Sequence, residues 1–103
     1  MTAPGQTQGA CHVVDGDKLP AAAGGVPGVC ATIESAMGEH APKLHYSVEV
    51  RVLSKSALVA TVSAGGKQLA RQQLAVMDRN LNAASIRRFA DALAAEVAKA
   101  SQL

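Results

Sequence analysis

Large aromatic side chains are almost absent: 103 residues hold one tyrosine, one phenylalanine and no tryptophan. A core built from 21 alanines, 11 valines and 9 leucines must pack by close approach of helices and strands rather than by bulk. So few rings also remove the stacking platforms that single-stranded nucleic acids use. Long apolar runs are missing too, and none approaches the roughly 20 residues of a membrane span, so no transmembrane segment is expected. Residues 1–10, MTAPGQTQGA, lack the charged and apolar regions of a signal peptide. Such a small-residue start is what remains when a signal peptide is replaced by an initiator methionine.

Catalytic signatures are equally scarce. The sequence contains no G-x-S-x-G, H-E-x-x-H, P-loop or Gly-rich dinucleotide pattern, so no catalytic residue and no cofactor is expected. Asp15-Gly16-Asp17 opens like a calcium loop, but the oxygens and terminal Glu of such a loop do not follow, and a turn is the simpler reading. Three histidines, His12, His40 and His45, share no dependable face, and no metal site is assigned.

A chain of this length forms one domain that buries about 60–65% of its unfolded surface. Residues 1–25, rich in Gly and Ala, read as an irregular N-terminal arm, and residues 26–103 as a single α+β domain. Val26, Val29, Cys30, Ile33, Ala36 and Met37 recur at helical spacing, with Pro27 suited to a first turn and Gly38 then Pro42 as the stop. A helix is expected over 27–39. In LHYSVEVRVL, residues 44–53, apolar and polar positions alternate strictly, the mark of a half-buried strand. ALVATVS follows after SKS, and KQLARQQLAVM after Gly65-Gly66, which predicts a three-stranded antiparallel meander. Leu69 and Leu74 have opposite parity, so the third strand must be short or carry a bulge. Ile86, Phe89, Ala90, Leu93, Ala94 and Val97 mark a final helix over 83–100, capped by Asn82.

The expected order is therefore α-β-β-β-α, with both helices on one sheet face. His45, Ser47, Glu49 and Arg51, with Thr61 and Ser63, are left toward solvent as a candidate interface. The first strand would be an open edge, able to pair with a partner protein or with itself, unless the arm covers it.

Only two cysteines occur, Cys11 and Cys30. Their spacing excludes C-x-x-C redox and paired zinc-knuckle motifs, leaving a disulfide, two free thiols or a zinc site completed by histidine. The disulfide is the expected reading, because a bridge would anchor an arm that has little apolar surface of its own; it would imply an oxidising compartment. Free thiols would imply the cytoplasm.

The formal charge is +2, unevenly placed: residues 1–42 carry four acids and one lysine, residues 43–103 nine Lys/Arg and four acids. Arg79, Arg87 and Arg88 gather around the start of the final helix, where cations oppose the helix dipole. Ion pairing with Asp91 at i,i+3 and i,i+4 is one explanation. An anion site built from these arginines and Ser85 is the other. Over roughly residues 27–100 the element order resembles that of the double-stranded-RNA-binding domain, which grips phosphates with basic residues at the start of its last helix. Arg87 and Arg88 fall near that place, whereas the family's Lys-rich run is missing and the SKSA loop at 54–57 is short.

These features point to a small exported, periplasmic or secreted, non-catalytic interaction or assembly module. The alternative is a phosphate- or nucleic-acid-binding module using the arginine cluster.

Overall fold

A computed structural model describes residues 9–77 and 79–101; the first eight residues of the expected arm, and with them its proposed processed start, lie outside that range. The elements run β1 (Gly9–Val14), α1 (Gly25–His40), β2 (Tyr46–Ser54), β3 (Ala57–Ala64), β4 (Lys67–Ala75) and α2 (Ala83–Ser101). Two short 3-10 turns, Gly16–Lys18 and Ala21–Ala23, link β1 to α1.

The expected three-stranded meander is corrected to a four-stranded mixed sheet in the order β1-β2-β3-β4. Part of the segment read as irregular, Gly9–Val14, pairs parallel to β2, with Cys11 opposite Val48 and Val13 opposite Val50. Parallel neighbours need a crossover connection, and α1 supplies it. The strand pattern here is only three residues deep: Cys11 and Val13 share the core-side parity of β2's valines, and His12 faces the other way. The first strand of the expected meander is thus not an edge, because the arm covers it.

The arm is also covalently fixed. Cys11 and Cys30 form a disulfide, with Sγ atoms 2.09 Å and Cα atoms 5.8 Å apart. Cys30 lies in the second turn of α1, beside the buried stripe of Val29, Ile33, Ala36 and Met37. At the other end of β1, Gly9 sits opposite Tyr46. Any side chain at position 9 would collide with the Tyr46 ring, so the absent Cβ lets the strand close onto β2.

From β2 onward the sequence pattern holds. Val48, Val50 and Val52 are buried, while Ser47, Glu49 and Arg51 are exposed. Gly65 and Gly66 both take positive φ, 61° and 79°, as a two-residue hairpin turn between β3 and β4 requires. Val62 pairs with Ala70 but Ser63 with Gln68, so Leu69 is an inserted bulge residue. That accounts for its parity conflict with Leu74.

Both helices pack on the face of the sheet that carries the valines. Phe89, Leu93 and Val97 of α2 meet the α1 stripe and the buried residues of β2 and β3 in one cluster. Ala36, Ala90 and Ala94 are buried within it, and small side chains at helix positions permit the close approach that an aromatic-poor core needs. Helix α1 runs one residue past its expected end, through Gly38 to His40, and stops before Pro42.

The bridge closes a loop with a sequence separation of 19. Replacing both cysteines by alanine should lower unfolding free energy by about 3 kcal/mol. Urea denaturation followed by circular dichroism measures this, and a midpoint within error of the parent would show that the bridge contributes nothing.

Candidate functional sites on the open sheet face and beside the second helix

Two surfaces gather the chemically distinctive side chains. The first is the sheet face opposite the helices. Strand register aligns His12, Glu49, Thr61 and Arg71 in one row across all four strands. The adjacent row holds Val14, Arg51, Val59 and Gln73. Glu49 and Arg51, two residues apart on β2, pair at 3.4 Å with both side chains about half exposed (54% and 55%). An exposed pair of this kind contributes little to stability, so it leaves both groups free to exchange partners. His45, just before β2, borders a shallow depression with Ser47, Ser63 and the Gly65-Gly66 turn.

All four residues expected at the interface, His45, Ser47, Glu49 and Arg51, are exposed, and Ser47, Glu49 and Arg51 share the open face. Sequence reasoning missed two others. His12 reaches the row because β1 is a strand, and Arg71 because β4 continues beyond its bulge with Arg71 opposite Thr61.

The second surface is a cleft of about 300 Å³ between the end of β4 and the start of α2. Leu74, Val76 and Phe89 give it apolar walls, and Arg79, Arg88 and Ser85 line it as well. The three arginines read as one cluster are divided here. Consecutive helix positions point about 100° apart, so Arg88 faces the cleft while Arg87 turns toward α1. There Arg87 lies 3.5 Å from Asp91 and 3.8 Å from Glu39. Ser85 is also engaged. Its amide donates to Asn82 Oδ1 at 2.9 Å, its hydroxyl donates to the Asn82 carbonyl at 2.9 Å, and its Oγ accepts the Asn82 amide at 3.0 Å. This is a reciprocal cap of the kind that satisfies orphan amides at a helix start.

Among the described residues, Glu39, His40 and Asp91 hold potential metal-ligand atoms within 4.8 Å of one another. Arg87 already supplies a positive charge to both carboxylates. No described helix is long and apolar enough to cross a membrane.

Comparison with protein families, curated proteins and solved structures gives no match to this chain. From α1 onward the element order is the expected α-β-β-β-α, and the parallel strand β1 precedes it. Of the two arginines behind the resemblance to the double-stranded-RNA-binding domain, Arg87 lies beside Asp91 and Glu39.

The fold displaces the titration of Tyr46. Burial of Tyr46, reinforced by the Glu34 carboxylate, raises its phenol pKa above the ordinary 10.0. Folding therefore favours the neutral phenol. Its stabilising contribution is complete below about pH 10 and is lost as pH rises through the folded-state pKa. Stability measured from pH 8 to 11 should fall more steeply in the parent than in Tyr46→Phe, and parallel profiles would refute that sign.

Proposed function

We propose that the protein is a small exported, non-catalytic interaction or assembly module that engages a protein partner through its sheet. The observation that carries this reading is the division of the sheet into a helix-covered apolar face and an opposite face bearing the row His12, Glu49, Thr61 and Arg71. A mixed-charge surface on a rigid sheet, with donors and acceptors at fixed spacing, suits recognition of another folded surface. Export is supported by the Cys11–Cys30 bridge, which persists in oxidising compartments. The non-catalytic part is supported by the burial pattern: among the described residues no Asp, Glu, His, Lys or Arg is buried as a whole. Tyr46 is the ionisable side chain that burial does reach, and it lies in the core cluster.

A second reading, a phosphate- or nucleic-acid-binding module, draws its support from Arg79 and Arg88 around the β4–α2 cleft. Arg87, held by Asp91 and Glu39, adds less to it than its place in the sequence suggests.

Protein recovered from its native compartment should show no free thiol without reduction. A photo-crosslinking residue at position 61 should give a discrete protein adduct in situ that is lost on combining Glu49→Lys with Arg51→Glu. Two free thiols would contradict export. An adduct equally strong from position 96, exposed on α2, would contradict binding through the open face.

A further inference from the structure

We propose that the outer edge of β4, together with the cleft beside α2, is a docking groove for an acidic, extended peptide segment of a partner protein. The inference rests on the reading of the chain as an interaction module; its cleft lies apart from the open face, and Arg71 is the residue that the two surfaces share.

Strand β4 ends the sheet, so main-chain groups along its outer edge have no strand partner among the described residues. Such an edge accepts an added strand, with main-chain hydrogen bonds giving affinity and side-chain pockets giving specificity. The Leu69 bulge interrupts regular pairing near the start of β4 and leaves residues 70–75 as the regular portion.

A strand laid there would send alternate side chains to opposite faces. On the helix side they meet the cleft, because Leu74 lies opposite the buried Leu58 and shares that cleft with Val76, Phe89, Arg79 and Arg88. On the other side they meet Arg71. Both faces of an added strand therefore find a cation beside the edge.

Charge then selects the occupant. Residues 67–88 contain Lys67, Arg71, Arg79, Arg87 and Arg88 against a single acid, Asp78. Arg87 is the only one of these cations that has an ion pair with a described acid. Four cations along this strand edge and its adjoining cleft thus have no ion pair among the described residues, and five cations against one acid in the segment steer an acidic chain toward it. The opposite edge, β1, leads instead into exposed Asp15 and Asp17. A compact phosphate fits the same place less well, because the amide and hydroxyl of Ser85 are already consumed by Asn82. The cations are also divided, Lys67 and Arg71 on β4 and Arg79 and Arg88 at the cleft.

Selection of random linear dodecapeptides displayed on phage against the disulfide-intact protein tests the proposal. Enriched peptides should be acidic and free of proline at their centre. In 15N-labelled protein, a synthesised winner should shift amides at residues 71–76 and 82–89. Arg79→Gln and Arg88→Gln should each weaken its binding about tenfold, while combined Glu49→Lys and Arg51→Glu leaves binding by the peptide in place. Selection of no peptide, or of peptides without acidic bias, would overturn the proposal. Shifts confined to residues 47–51 would also overturn it while leaving the open-face module standing. Tight, salt-dependent binding of a DNA duplex or inorganic phosphate at the cleft, with no competition by the peptide, would overturn it in favour of the phosphate-binding reading.

Discussion

The pairing of β1 with β2, locked from behind by the Cys11–Cys30 bridge, is the constraint on which the rest of the surface depends. Without β1, the long and regular strand β2 would expose a row of unpaired main-chain groups, a template for association with any other chain. The arm that covers it has little to hold it by hydrophobic burial, since Val13 is only partly buried and Gly9 has no side chain. Ordering each residue of such a segment costs about 1–2 kcal/mol of backbone entropy. Main-chain pairing along six residues, a glycine that lets the Tyr46 ring close over the strand end, and a covalent link to α1 together offset that cost.

The addition of β1 moves the sheet's edge from β2 to the arm and gives the molecule a direction. Beyond β1 the sheet runs to β4, and the helices cover a single face, so polar character is partitioned by strand parity and by edge. The open face collects His12, Glu49, Arg51 and Arg71, with acid and base close enough to neutralise one another in part. The far edge and its cleft collect cations without a matching set of acids. Helix phase sharpens the contrast: Arg87 points along the surface toward Glu39 of α1 and Asp91, whereas Arg88, one position later, remains beside the cleft with Arg79.

Much of this was legible in the sequence where the pattern is local. The strict alternation of residues 44–53 gave β2 and its outward-facing Ser47, Glu49 and Arg51. The stripe from Ile86 to Val97 gave α2, and the parity of Leu69 against Leu74 announced a bulge. The cysteine pairing was one of three open readings, preferred because an arm so poor in apolar residues needs an anchor. Strand β1 was not legible, because its alternation spans three residues amid glycine and alanine, and its partner lies more than thirty positions away across a helix. No local periodicity encodes a parallel pairing of that kind. His12 and Arg71 were missed for the same reason, since their place in the polar row follows from register across strands. Of the grouped Arg79, Arg87 and Arg88, the first and last share a cleft with Ser85, whereas the turn of about 100° per helical residue carries Arg87 toward Glu39 and Asp91.

If the bridge holds β1 against β2, its reduction should release that strand before anything else. Native-state hydrogen exchange, resolved by residue and compared between oxidised and reduced protein, reads this directly. The amides of Gly9–Val14, and those of β2 that face them, should lose protection on reduction while α2, β3 and β4 keep theirs. Unchanged protection in β1 would contradict the account, and so would a uniform loss throughout the fold, which would make the bridge a global staple rather than the anchor of one strand.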